Sequence, residues 1–145
     1  SHSPSFFCLI DETEFYEKPE RETCLEDLTE WVGATVVDFP GKTACCGFPI
    51  VTINEKASLK MVGNHTSTAK DLGASAMVTP CPLCHLNLDQ YQDRAAWMME
   101  REIDLPIIHV PQLVGLALGL DPEELKINKH VISTKKLLTE ISLKP

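Results

Sequence analysis

Ala74-Ser75-Ala76-Met77-Val78-Thr79-Pro80-Cys81-Pro82-Leu83-Cys84 is the stretch on which the fold turns. Its first half, Ala74 to Thr79, is a short apolar run suited to a buried strand, and Pro80 and Pro82 stiffen the approach to Cys81. Leu83, Leu86, Leu88, Tyr91 and Ala95 then carry a helical pattern, so the strand ends where the cysteines begin. Cys81 and Cys84 fall in the first helical turn, where unpaired backbone N–H groups and the positive end of the dipole favour thiolate over thiol. At this spacing the two sulfurs face one centre.

Downstream, Ile107-Ile108-His109-Val110 after Pro106 reads as a further strand, followed by a helix from Pro111 to Leu118. Asp121-Pro122-Glu123-Glu124 is expected to start another helix, with an Asp cap, Pro at the first position and acids in the first turn. The tail from Ile127 carries no clear pattern. Upstream, Asn54 to Gly73 reads as a long helix with Asn54 as its cap and Ala57, Met61, His65, Ala69 and Leu72 at three- and four-residue steps. Ala34 to Phe39 is a β-branched run closed by Pro40-Gly41, and it delivers the chain to Cys45-Cys46-Gly47. Before it, Leu25, Leu28, Trp31 and Val32 recur at helical spacing between Thr23 and Val32, and Gly33 ends that helix. Ser5 to Ile10 reads as a buried strand ending at or near Cys8. Asp11 to Arg21 is a charged connection, and Ser1-His2-Ser3-Pro4 reads as a linker or cloning remnant.

Strand alternating with helix at this regularity predicts an α/β, Rossmann-like three-layer domain with a mostly parallel sheet. Residues 1–145, with 43% hydrophobic content, suit one domain. In such sheets ligands sit outside the carboxyl ends of the strands. Cys8, Cys45, Cys46, Cys81 and Cys84 each follow an expected strand, directly or by a short loop, and should converge there as a metal or redox site. The gaps, 36 residues between Cys8 and Cys45 and 34 between Cys46 and Cys81, mean that only the fold can assemble it. Converging thiolates bind soft metals or do redox chemistry. Gly47 permits backbone conformations closed to other residues, and a vicinal cysteine pair, too strained to bond to itself, suits ligation of two irons or a bridging role.

Thirteen basic against twenty-one acidic residues give a net charge of -8, which repels a phosphate backbone and argues against a nucleic-acid partner. The apolar stretch Ile107 to Leu120 is broken by His109, Pro111 and Gln112 and falls short of the roughly 20 residues a bilayer span needs. Nothing resembles a signal peptide. Secreted disulfide frameworks are usually shorter, loop-rich and poor in helical pattern, so six cysteines here read as a metal or redox site. Cys24 is expected to be a small buried hydrophobe. His85 is either a ligand or proton donor or, more ordinarily, a hydrogen-bonded helix residue, and His109 sits at the expected site edge. His65 is assigned to core or surface, and His2 and His130 to no role. Trp31, Trp97, Met98 and Met99 are assigned to the core or to a partner-facing patch.

The run Lys42-Thr43-Ala44-Cys45-Cys46-Gly47, the Cys81-Pro82-Leu83-Cys84 motif followed by Leu88, and Cys8 upstream resemble the cysteine-rich CCG domain of the B-type subunit of heterodisulfide reductase. The same domain occurs in the E-type subunit of certain succinate dehydrogenases, in thiol:fumarate reductase, and in iron–sulfur subunits of glycolate and lactate oxidation. The resemblance extends over Leu25 to Phe39 and Pro106 to Leu125. Two departures stand out: Phe7 where the family often has Gly, and a single such domain where family proteins usually carry two.

The resemblance implies that Cys8, Cys45, Cys46, Cys81 and Cys84 bind a noncubane [4Fe-4S] cluster for electron transfer or disulfide reduction. It implies a second CCG domain and iron–sulfur or flavin subunits as partners, and a disulfide or quinone-linked substrate. A cytoplasmic location follows, extending to peripheral association with the cytoplasmic face of a membrane, and the lone domain is not expected to be an active enzyme. The alternative is zinc, in a structural or anchoring domain of a succinate dehydrogenase-type complex. Zn²⁺ takes four ligands in a tetrahedron, so this sequence has one cysteine more than a closed zinc site requires. A thiol–disulfide or empty site is the third reading.

Overall fold

The computed structural model describes residues 5–8, as backbone, and residues 23–142. The Ser1 to Pro4 segment, Leu9, Ile10 and the Asp11 to Arg21 connection lie outside the described residues. The elements are β1 (Ser5–Cys8), α1 (Cys24–Trp31), β2 (Thr35–Val36), α2 (Glu55–Asp71), β3 (Ala76–Thr79), α3 (Pro82–Gln90), α4 (Gln92–Met98), β4 (Ile107–His109), α5 (Val110–Ala117) and α6 (Lys135–Ser142).

All strand pairs are parallel, in the order β2-β1-β3-β4, as the alternation of strand and helix requires. Cys8 stands beside Val78, and Thr79 beside His109. The chain leaves β1 for β2 on one side and returns through α2 to β3 on the other, so the strand order reverses between β1 and β3. Such a switch point leaves a crevice outside the carboxyl ends of the two strands.

Side chains alternate across β3 and β4. Met77 and Ile107 join Leu59, Val62, Ala69, Leu88 and Ala95 from α2, α3 and α4 in one core cluster. Ala76, Val78 and Ile108 join Leu25, Leu113 and Leu137 from α1, α5 and α6 in another. Burial of β3 on both faces explains why its sequence is an unbroken apolar run.

Local chemistry accounts for most element ends. The Asn54 side chain accepts from the Ala57 N–H at 3.1 Å and starts α2. Pro82 opens α3 where no amide hydrogen is needed. Other expectations are corrected. The expected strand from Ala34 to Phe39 pairs only over Thr35 and Val36. The buried face of α2 is Ser58, Leu59, Val62, Gly63, Thr66, Ser67 and Ala69, rotated from the expected stripe, because small residues let α2 approach α4 closely. A Cβ on Gly63 would collide with Met99 Sδ.

The single helix expected beyond Cys81 breaks at Tyr91, and Leu83 and Leu86 are exposed. Buried Gln92 stands just past the break, donating to Leu88 O at 3.2 Å and Leu105 O at 2.9 Å while accepting from Leu105 N at 2.6 Å, which ties the helix pair to the connection before β4. Asp121-Pro122-Glu123-Glu124 forms turns and no α-helix. Lys126 adopts a left-handed φ of 58°, which stops propagation after one turn, and a short 3-10 turn at Ile127–Lys129 follows. Cys24 is exposed at the start of α1, and Trp31 is 81% exposed, so neither belongs to the core.

Candidate metal centre at the carboxyl edge of the sheet

Cys81 is the N-cap of α3, two residues past β3, and its carbonyl accepts the first helical bond from His85 N at 3.0 Å. Its own N–H donates to Thr79 Oγ1 at 3.3 Å. Cys84, one turn along, is half-buried. Its thiol is held well above the ordinary thiol range by a hydrogen bond with Cys46, then by burial and by the proximity of Cys46 and Cys81. Cys46, Cys81 and Cys84 therefore meet across α3 and the vicinal-cysteine loop. Without a bound cation the hydrogen bond with Cys46, and then burial, hold the Cys84 thiol protonated at the start of α3.

The vicinal loop is held by groups from two helices. Gly47 has φ of 90°, and a Cβ there would lie 3.0 Å from Ser58 Oγ and 3.1 Å from Ser58 Cα, so glycine is required both by conformation and by space. His65 Nε2 donates to Cys45 O at 2.9 Å, with its ring edge-on to Phe39. Asn87 Nδ2 donates to Cys46 O at 2.8 Å and to Ser58 Oγ at 3.4 Å. Asn87 is 0% exposed, and its Oδ1 has no partner among the described residues. Leaving a buried acceptor unsatisfied costs about 1–3 kcal/mol.

The two cysteines of the pair differ. Cys46 is 4% exposed, whereas Cys45 is exposed, with its sulfur accepting from Gly47 N at 3.4 Å. Cys8 ends β1 beside Val78, at the same edge of the sheet as the β3 terminus that leads to Cys81, and its side chain lies outside the described residues. Among the described residues Cys24, Cys45, Cys46, Cys81 and Cys84 stand outside any disulfide. Among the described residues no group of three or more His, Cys, Asp or Glu side chains is arranged as a metal-ion site. The donor chemistry nonetheless fits a thiolate-bound group. The Cys84 thiol resists ionising beside Cys46, and a bound cation reverses such a penalty by deprotonating its sulfur ligands.

Three histidines stack next to Cys84. His85 lies edge-on to His130 with centroids 4.5 Å apart and to His109 at 6.1 Å. Burial lowers the His85 pKa to about 4 and lowers that of His130. His109 Nε2 donates to Pro80 O at 2.9 Å, bracing the turn into Cys81, and Gln112 donates to His130 Nε2 at 2.9 Å. Sequence reasoning missed His130, His65 and Asn87. Asn87 alone carried a signal, as a polar residue one turn beyond Cys84 on the same helix face.

Residues 7–89, more than half of the chain and a span that includes all five clustered cysteines, match the cysteine-rich domain family called CCG. The chain belongs to the CCG cysteine-rich domain family. It is 39% identical over 122 residues to the 8-methylmenaquinol:fumarate reductase membrane anchor subunit of Wolinella succinogenes, covering 84% of this chain and 43% of that one. It is 30% identical over 124 residues to the B-type subunit of the ferredoxin:CoB-CoM heterodisulfide reductase of Methanosarcina mazei, covering 84% of this chain and 41% of that one. A protein of Archaeoglobus profundus, named for its likeness to the heterodisulfide reductase B-type subunit, is 28% identical over 110 residues, 74% of this chain and 37% of that one. This CCG chain thus spans less than half the length of the curated relatives it matches. Among the described residues no helix is long and apolar enough to cross a membrane.

Proposed function

We propose that this CCG domain is an iron–sulfur redox module of a heterodisulfide reductase-like oxidoreductase, with Cys8, Cys45, Cys46, Cys81 and Cys84 holding a noncubane [4Fe-4S] cluster. The observation that carries this reading is the meeting of Cys46 and Cys84, 38 positions apart, beside Cys81 at the carboxyl edge of a parallel sheet. When bound, such a cluster supplies electrons singly, which suits stepwise reduction of a two-electron substrate such as a disulfide. The chain's own part is to gather sulfur donors, hold the Cys45-Cys46 turn rigid and keep part of the site from water. Packing of helices against both faces of the sheet supports the Rossmann-like three-layer description.

Relatives of more than twice the matched length support residues 1–145 as a single CCG domain of a longer protein. Their names, as subunits of reductases acting on a heterodisulfide and with a menaquinol, support other subunits of a redox complex as partners and a disulfide or quinone-linked substrate, and their greater length leaves room for a second CCG domain. The name of the Wolinella relative, a membrane anchor subunit, supports association with a membrane. The test is spectroscopic. Protein prepared without oxygen is expected to be brown and to give an EPR signal on oxidation or reduction; a colourless, EPR-silent protein after anaerobic cluster reconstitution overturns the reading.

The second reading, zinc in a structural or anchoring domain, is favoured by one specific observation. Cys46, Cys81 and Cys84 meet while Cys45 turns its sulfur toward Gly47 N in an exposed position. Those three with Cys8 would complete a four-thiolate set, the number a closed zinc site takes.

A further inference from the structure

We infer that Asn87 is the positioning residue of the site: its carboxamide fixes the Cys46 backbone against α3 and so sets where the vicinal pair meets Cys81 and Cys84. This rests on the reading of the cysteine edge as a thiolate-metal site. The residue comes from α3, the helix whose first turn carries Cys81 and Cys84, and it reaches across to Cys46 O at 2.8 Å. One rigid helix therefore carries two ligands and the group that places a third. The second Nδ2 contact, to Ser58 Oγ at 3.4 Å, ties the same amide to α2 behind the loop, where Ser58 also leaves no room for a side chain at position 47.

The orientation of the amide is not arbitrary. Turning it over would set Oδ1 against the Cys46 carbonyl oxygen, two acceptors with no proton between them. The observed orientation satisfies Cys46 O and leaves Oδ1 without a partner among the described residues, at a position 0% exposed. An apolar side chain of the same size would bring no unsatisfied atom of its own, but it would leave Cys46 O without this donor. A buried amide that accepts this defect while bonding the ligand-bearing backbone is explained by placement of Cys46, and packing alone does not require it. The consequence is a turn preformed before any metal arrives, which leaves less chain to order on binding.

The test uses two variants of the full chain in metal-free and metal-loaded forms. Asn87→Asp keeps the shape and, with its carboxyl ionised at alkaline pH, removes both donors; Asn87→Ser keeps a donor on a shorter arm. In the metal-free protein, alkylation of each cysteine by iodoacetamide is followed by mass spectrometry, with exposed Cys24 as the internal reference. Cys46 should be slow in the parent and about tenfold faster in Asn87→Asp, the ratio expected for loss of one buried hydrogen bond, while Cys24 is unchanged. Co²⁺ titration then reads the sulfur-to-cobalt charge-transfer band, which should weaken or shift in Asn87→Asp and recover partly in Asn87→Ser. Unchanged Cys46 protection with an unchanged cobalt spectrum in Asn87→Asp overturns the role of Asn87. A parent chain that gives no thiolate–cobalt band overturns the metal reading instead, and the alkylation ratio still decides whether Asn87 positions Cys46.

Discussion

The α2–α4 seam and the cysteine edge share α2 and are built by opposite rules. At the seam, contacts are saturated: Gly63 admits Met99, Arg94 pairs with Glu55 at 2.5 and 2.8 Å, and Arg101 pairs with Asp71 at 2.7 and 3.1 Å. At the cysteine edge, Asn87 Oδ1 lacks a donor among the described residues and the Cys84 thiol is pushed away from ionisation by its neighbours. One region meets its own bonding needs; the other leaves them open, as expected where a bound group completes the structure. The two regions should therefore fail independently under mutation.

The largest separation is expected from the thiols themselves. Cys84→Ser should abolish metal retention in purified protein while leaving circular dichroism intact, and Cys24→Ser should leave metal content at the parent value. Equal loss in both would erase the distinction between clustered and peripheral cysteines. Gly47→Ala comes next. It forces a side chain into a left-handed backbone against Ser58 and should lower stability by about 1–2 kcal/mol by the conformation alone, with metal loss as well. Gly63→Val should cost about 1–3 kcal/mol by overpacking against Met99, yet the folded fraction should keep its full metal content. Denaturant titration beside elemental analysis tests both, and metal loss in Gly63→Val would break the comparison.

The smallest effect is a difference in acid response of the metal-free chain. His85, lowered from 6.5 to about 4 by burial, stays neutral in the folded state while an unfolded chain takes up a proton. Burial lowers His130 in the same direction. Their contribution to stability is present above pH 6.5 and is lost as pH falls toward about 4. Asp71, lowered from 3.8 by its hydrogen bond with Arg101, keeps its contribution above that value and loses it only in stronger acid. Thermal melts of His85→Asn should show a shallower loss between pH 6.5 and 4 than the parent; the same slope in both would remove the histidine stack as its cause.

The parallel sheet was legible because β3 is a buried run ended by Pro80, and α2 because Asn54 and Gly73 mark its ends. Cys81 and Cys84 were legible as a pair at a helix start, since the proline-flanked spacing is local information. What escaped was set by tertiary contacts. The buried face of α2 depends on how near α4 comes, which Gly63 and Met99 decide together. The false helix at Asp121 had correct starting chemistry, but the backbone turns left-handed at Lys126 and delivers Ile127 to the core. Cys24 was misplaced because cysteine is usually buried, whereas here it opens α1 on the solvent side. The clamp of Asn87 on Cys46 joins positions 41 residues apart, a pairing that no local pattern encodes.

Iron, zinc and acid-labile sulfide counted per chain, in protein prepared and reconstituted without oxygen, test the central claim most directly. The account predicts about four irons and about four sulfides, lost together in Cys84→Ser and retained in Cys24→Ser. One zinc per chain that reconstitution leaves unchanged would contradict the cluster, and a parent chain that retains neither metal would contradict the cysteine edge as a metal centre.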